Sequence, residues 1–297
     1  MNSTSRSKTE ILKGSVSSDY DTMDYRSPEM YNPSIPDATK VIIEWFEAYS
    51  RRNVERMRDL THFPFVHVEE NARTRIESPD DLLRQPPRFM DVRSIALKDY
   101  DTLEGLTIPL FRPAQVGFFL TFGRYHANGE RFLQGEAFFS VQKNAEAKWE
   151  LRQSSTILKP ADQQDVFPHE TIESARRLLH LYNYSYGVKN QALLDELGWP
   201  YEKVDFERFA RMAGSRLGSY DHTIAAKIDI PQCSTNKAHC LVTFIRRQCD
   251  GSPISVGRGL YVVGKQDWRW RMLLVACDAT EHDFSNDSRA SSETATR

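Results

Sequence analysis

Apolar and polar positions alternate with a two-residue period from Phe118 to Gly123, where Phe118, Leu120 and Phe122 point one way and Phe119, Thr121 and Gly123 the other. That period predicts a pleated strand with both faces partly apolar. A turn over Ala127-Asn128-Gly129-Glu130 follows, and its Asn-Gly pair predicts a type I′ hairpin. Ala137, Phe139 and Val141 then share one face of a second strand, and a third closes on Trp149. The whole stretch returns as Thr243 to Trp270. Thr121 matches Thr243, Phe122 Phe244, Arg124 Arg246, Gly129 Gly251, Gly135 Gly257, Lys143 Lys265 and, after one dropped residue, Trp149 Trp270. Two copies of one antiparallel unit are expected, with glycine at the bends of a curved sheet covered on both sides.

Upstream of each copy the period lengthens towards that of a helix. Pro36-Asp37 reads as a helix entry, with Ile43, Phe46 and Tyr49 on one face. The pattern breaks near Arg51-Arg52-Asn53, a second helix covers Val54 to Leu60, and Thr61 to Val68 reads as a strand. In the second copy Leu179, Tyr182 and Ser185 stand for the first helix, Ala192 to Leu197 for the next and Gly198 to Val204 for the strand. Pro64 aligns with Pro200, Val68 with Val204 and Asp59 with Asp195. Ser78-Pro79 opens a short helix, while Val204 to Met212 occupies the matching place.

At 297 residues and 40% hydrophobic content the chain can give two domains a core each. The boundaries expected are a disordered tail over 1–35, domains over 36–158 and 169–280, a proline-containing linker over 159–168 and a disordered tail over 281–297. The aromatics of Tyr20 to Tyr31 could pack as an arm. Lys plus Arg number 39 against 41 Asp plus Glu, a net charge of −2, which gives no basic field to recruit nucleic acid. No apolar run approaches the roughly 20 residues that span a bilayer, and the first fifteen residues lack the apolar centre of a signal peptide. A cytoplasmic protein with no membrane partner is the expectation. The four cysteines, Cys233, Cys240, Cys249 and Cys277, all fall in the second copy and read as buried free thiols rather than a disulfide framework.

The order helix, helix, aromatic-Pro-aromatic strand, short helix and three-stranded meander ending on Trp resembles the nuclear-transport-factor-2-like, or SnoaL-like, superfamily. Its carriers are FPFVHV, TFGRYHANGE, FFSVQK and KWELRQSS in the first copy, with VTFIRRQCDG and GLYVVGKQDWRW in the second. The resemblance implies an α+β fold of two tandem cystatin-like cones, each a strongly curved antiparallel sheet wrapped around N-terminal helices. Members use the pocket of the cone for cofactor-free isomerisation, dehydration or cyclisation, or to bind a ligand, and others are interaction modules. Fold alone does not choose among these. Such domains commonly pair through their sheets, so a monomeric pseudo-dimer or a homodimer is implied.

A cofactor-free pocket enzyme needs a tuned acid or base and a group that steadies developing charge. Alternation along the strand after Pro64 puts His67 and Glu69 on the face of Phe65, which makes them the acid/base candidates if that face looks inward; the competing reading places them at a wet rim. Tyr49, Tyr125, Arg124, Glu136 and Gln153 are the candidate pocket groups, with Arg124 and Glu136 also able to form a cross-strand pair. In the second copy the His67 position is Lys203, the Glu136 position Arg258 and the Tyr49 position Ser185, so two identical sites are not expected. No His, Cys, Asp or Glu spacing suggests a metal and no glycine-rich phosphate loop occurs, so no cofactor is expected. Two functions remain in play. One is a pocket of about 300 Å³ or more for a small apolar organic ligand; the other is a non-catalytic scaffold that presents its sheet surface to another protein.

Overall fold

The computed structural model describes residues 34–69, 72–84, 99–112, 114–162, 168–188, 190–198, 222–247, 251 and 253–283. Contacts divide the chain into two units, Met1–His67 with Arg75–Gln164, and Val68–Thr74 with Asp165–Arg297. Of the tails expected over 1–35 and 281–297, residues 1–33 and 284–297 lie outside the described residues, as do the strand and helix expected over 199–212, Cys249 and the Cys277 side chain, while residues 34 and 35 belong to the first helix.

The first unit begins with helix α1, Ser34–Ser50, with Asp37 in its first turn, where a negative charge opposes the helix dipole. Ala38, Ile42, Trp45, Phe46 and Tyr49 are its buried face. Ile43, expected on that face, is displaced from it by one residue and is half-buried. The helix stops because Asn53 N–H donates to Ala48 O at 2.8 Å and Arg52 N–H to Tyr49 O at 2.9 Å, a Schellman closure that puts Arg52 at φ 55°. Arg52 offsets the strain of a side chain in this left-handed region by donating from Nη1 to Ser50 O at 2.9 Å, at the negative end of the helix. Asn53 then caps α2, Val54–Asp59, by accepting from Arg56 N–H at 3.0 Å. Ser78 caps α3, Pro79–Arg84, in the same manner.

The strands are β1 Thr61–Glu69, β2 Ala72–Ile76, β3 Tyr100–Arg112, β4 Gln115–Tyr125, β5 Arg131–Lys143 and β6 Trp149–Pro160, in the order β2-β1-β6-β5-β4-β3. Strands β3 to β6 pair antiparallel, and register shifts in each of those pairings curve the sheet around α1. One face carries Phe118, Leu120, Phe122, Ala137, Phe139, Val141 and Leu151 against the helix. Phe119 and Phe138, T-shaped at 6.2 Å, are buried on the other face, so the sheet is covered on both sides.

The β4–β5 hairpin departs from the expected type I′ turn. Gly129 N–H donates to His126 O at 2.9 Å, and His126 N–H to Glu130 O at 2.8 Å. Only Gly129 has a positive φ, 85°. This is a type I turn followed by a glycine bulge, the three-residue hairpin loop, and Asn128 serves it by accepting from Glu130 N–H at 2.9 Å.

The second unit contains α4 His169–Gly187, α5 Gln191–Glu196, β7 His222–Cys233, β8 Lys237–Arg247, β9 Pro253–Gln266 and β10 Arg269–Asp283, the strands ordered β10-β9-β8-β7. Strand β10 runs past the boundary expected at 280. Cys233 and Cys240 are buried thiols within this core, and burial pushes the Cys240 pKa upward.

Several devices of the first unit recur. Asn190 caps α5 by accepting from Leu193 N–H at 3.1 Å, as Asn53 caps α2. Asn190 N–H donates to Ser185 O at 2.9 Å, as Asn53 N–H does to Ala48 O. Met272 N–H reaches Leu197 O at 2.9 Å, as Leu151 N–H reaches Leu60 O at 2.8 Å. These landmarks correct the expected helix alignment by one residue: Ser185 stands in place of Ala48, and the counterpart of Tyr49 is Tyr186. The rings agree, since Trp45 stacks on Tyr49 at 5.8 Å and Tyr182 on Tyr186 at 6.2 Å. Trp45 meets Phe139 edge-on at 5.3 Å, and Tyr182 meets Tyr261 edge-on at 5.7 Å.

Gly135 lies opposite Phe122 in register, and the Phe122 ring lies across it, so an added Cβ would overlap the ring. Gly135→Ala is expected to destabilise the first unit by about 2 kcal/mol through overpacking. Combining it with Phe122→Ala is expected to cost less than the sum of the two changes, because the smaller side chain vacates the space. Urea unfolding of the single and double variants measures both values.

Candidate functional site

Two buried polar groupings face α1. The first comes from the neighbouring strands β1 and β6. His67 is fully buried on the face of Phe65, with the two rings stacked at 6.4 Å, and its Nδ1 lies 2.7 Å from Ser154 Oγ. The inward orientation weighed for His67 is the one adopted. Glu69 follows at the half-buried end of β1. His62, the second residue of β1, lies 3.1 Å from Glu150 and is half-buried.

The second grouping joins the end of α1 to β3 and β4. Register places Asp101 opposite Arg124, and Arg124 Nε donates to Asp101 Oδ1 at 2.9 Å. Arg124 Nη2 also donates to the Tyr49 hydroxyl. The Ser50 hydroxyl donates to Asp101 O at 2.9 Å and accepts from Asp101 N–H at 3.2 Å, which ties strand to helix. Burial pushes the Asp101 pKa above the usual carboxylate range, against the opposing pull of Arg124 and, more weakly, Arg52. Burial also works against the Arg124 charge, but Tyr49 and Asp101 more than hold it, so its pKa is raised and it stays protonated. Sequence reading found Tyr49 and Arg124 and missed Asp101 and Ser50. Only the β3–β4 register reveals Asp101, since nothing in the local pattern of β3 marks it.

The remaining candidates lie elsewhere. Glu136 does not pair with Arg124. It stands opposite Thr121 on the other face of the sheet, 3.2 Å from Lys159. Tyr125 is also on that face, stacked on Tyr100 at 5.4 Å and donating to Glu104 Oε1 at 2.7 Å, which raises the tyrosine pKa. Gln153, a candidate pocket group, does not face the helix. A bulge leaves Arg152 without a register partner between Leu151 and Gln153, and so turns Gln153 to the face of Ser140. The same shift turns Ser154, Thr156 and Leu158 inward, to the face of Phe139.

Under α1 a cavity of about 10 Å³ is lined by Trp45, Phe46, Tyr49, Phe122, Phe139, Thr156 and Leu158. That volume admits about one water molecule. Tyr49 belongs to both its wall and the ionic grouping, whereas His67 and Glu69 are not among its lining residues. Among the described residues no three His, Cys, Asp or Glu side chains gather as metal ligands.

The architecture is the one implied by the sequence resemblance, a helix laid in the hollow of a curved antiparallel sheet. No family model matches the chain, and no curated protein does. Similar solved structures include a protein of unknown function with a cystatin-like fold from Nostoc punctiforme, at 9% identity and TM-score 0.36, covering 42% of this chain and 91% of that one. A ketosteroid isomerase-like protein from Erwinia carotovora atroseptica aligns at 12% identity and TM-score 0.34, covering 45% of this chain and 100% of that one. An NTF2-like protein of unknown function from Pseudomonas putida aligns at 10% identity and TM-score 0.36, covering 46% of this chain and 96% of that one.

Arg124→Met is expected to cost about 3 kcal/mol at neutral pH, because it leaves the Asp101 charge buried without its cation. A carboxylate whose folded pKa lies above its unfolded value contributes stability that is complete below the unfolded pKa and lost as pH rises through the folded one. Removing Arg124 raises the folded pKa of Asp101 further. The deficit of the variant should therefore shrink on acidification from pH ~7 towards the ordinary Asp value of about 4. Urea titrations across that range measure it; a deficit that grows on acidification would exclude Asp101 as the responsible group.

Proposed function

We propose that this chain is a non-catalytic scaffold or protein-interaction module, built from two copies of a cone-shaped α+β unit, in which the first cone is a packed core. One observation carries the reading. The cavity that the described residues leave under α1, between Trp45, Tyr49, Phe122 and Phe139, holds about 10 Å³, against the roughly 300 Å³ or more that an organic ligand occupies. The acid/base pair weighed for catalysis gives no support to a reaction at that hollow. His67 is engaged with Ser154, and neither it nor Glu69 lines the cavity. The ionic grouping fits the same reading, since Arg124 is spent on Asp101 and Tyr49 and thereby fixes the end of α1 to the sheet.

A small-molecule role keeps one observation in its favour. Tyr49 and Thr156 bring hydroxyl groups to an apolar wall, and Leu158, at the same cavity, is partly exposed. A ligand would have to displace the aromatic side chains that fill the cone.

A thermal-shift screen of the full chain with apolar aromatic and polycyclic compounds separates the two. A ligand at a hundredfold its Kd adds about 2.7 kcal/mol, a shift of several degrees for units of this size. The packed-core reading expects no saturable shift. It also expects His67→Asn to cost about 1–3 kcal/mol as a buried hydrogen-bond change, through stability alone. A saturable shift abolished by Tyr49→Phe or Thr156→Val would replace this reading with the pocket.

A further inference from the structure

Thr223 is 4% exposed on β7, and among the described residues its hydroxyl finds no hydrogen-bond partner. A buried polar group in that state calls for an explanation, since such groups are nearly always satisfied. Register supplies the context. Thr223 stands opposite Arg246 of β8, at the place where the first unit has Asp101 opposite Arg124. The duplication thus keeps the arginine, buried at 2% exposure, and exchanges the carboxylate across from it for a hydroxyl.

The Arg246 guanidinium lies over the Phe244 ring, its Cζ 4.9 Å from the ring centre. A contact of that kind spends none of the five N–H donors of the group in a hydrogen bond. The planar fork of donors matches a carboxylate, and it can serve one alongside the other contacts it makes. In the first unit Asp101 Oδ1 accepts from Arg124 Nε at 2.9 Å in this way. At the same register the second unit offers the Thr223 hydroxyl, which can donate to an anionic oxygen and brings no charge of its own.

Neighbouring positions change in the same sense. Matched through strand register and helix landmarks, Trp45, Phe46, Leu103 and Phe118 of the first unit correspond to Tyr182, Asn183, Ala225 and Cys240 of the second. All four replacements are buried, and each is the smaller side chain. Tyr261 stands for Phe139 and adds a hydroxyl. Ala225 lies opposite Phe244, two residues along each strand from the Thr223–Arg246 pair, so the side chains shrink beside the position where the acid is exchanged. One guanidinium balances one negative charge. A phosphate group at neutral pH carries nearly two, and part of that charge would stay buried without a partner.

We propose that the second unit binds a small organic monocarboxylate. Its carboxylate accepts from Arg246, as Asp101 does from Arg124, and from the Thr223 hydroxyl, while its apolar body lies against Phe244 and Ala225. The site belongs wholly to the second unit, so it holds whether or not the first cone binds a ligand.

Isothermal titration of the full chain with benzoate, phenylacetate and butyrate at constant ionic strength tests it, with benzamide as the uncharged counterpart of benzoate. Saturable binding of a carboxylate and none of benzamide is expected. Thr223→Asp builds the acid of the first unit into the second and is expected to abolish carboxylate binding. Thr223→Val keeps the volume and removes the donor, and should weaken binding about tenfold, the loss of one hydrogen bond to a charged group. No saturable binding of any of the three carboxylates, equal binding of benzamide, or undiminished affinity in Thr223→Val overturns the proposal. So does carboxylate binding retained by a folded Thr223→Asp chain, with folding checked by circular dichroism; if that variant does not fold, Thr223→Val decides.

Discussion

The seating of α1 on the inner face of its sheet decides most of what the first unit can do. Trp45 stacks on Tyr49 along the helix and meets Phe139 edge-on from the sheet, while Phe46 meets Phe122 at 5.5 Å. Rings of this size bury large apolar areas and pack stacked or edge-on against the concave side of a curved sheet. Curvature is the precondition. It comes from register shifts in β3 and between β5 and β6, and from Gly135, where Phe122 can lie across the strand only because no Cβ intervenes. The helix is thus held in the concave side of the sheet.

Polar groups enter this apolar contact at its edge. Tyr49 shares in the ring stack and accepts from Arg124, so the orientation of the ionic grouping is coupled to the packing of the core. A buried guanidinium and carboxylate contribute little net stability when compared with apolar replacements, but they tolerate few alternative arrangements. Ser50 adds two hydrogen bonds to the backbone of Asp101 and so fixes the register of β3 against the helix. The geometry reads as a clamp that specifies where α1 ends. The second unit keeps the arginine, as buried Arg246, but places Thr223 opposite it, so the ionic half of the clamp is not repeated at that register.

Elements set by short-range chemistry were legible in the chain. Asn53 and Ser78 announce helix starts and alternation from Phe118 announces β4, whereas alternation along β1 groups His67 with Phe65 without fixing which way that face looks. Features that depend on pairing between strands were not. A single unpaired residue, Arg152, reverses which side chains of β6 face the helix, and this removes Gln153 from the interior and brings in Ser154 and Thr156. Asp101 could not be matched to Arg124 without the β3–β4 register. The helix alignment expected between the two units is off by one residue because tyrosines at 182, 184 and 186 satisfy more than one phase, and only the hydrogen bonds around Asn53 and Asn190 fix it.

Turn chemistry carries the sharpest contrast. At Asn128-Gly129 the sequence offers the residues a two-residue turn prefers, and the chain forms a three-residue loop instead, because Asn128 gains a hydrogen bond to Glu130 N–H in that geometry. At Asp267-Trp268 the sequence offers a residue that such a turn disfavours, and both positions are nevertheless left-handed. Antiparallel pairing on both sides of the tip, from Gln266 with Arg269 inward, imposes that turn. Local preference yields to the ladder of hydrogen bonds behind it, and both left-handed residues, Asp267 and Trp268, stand exposed.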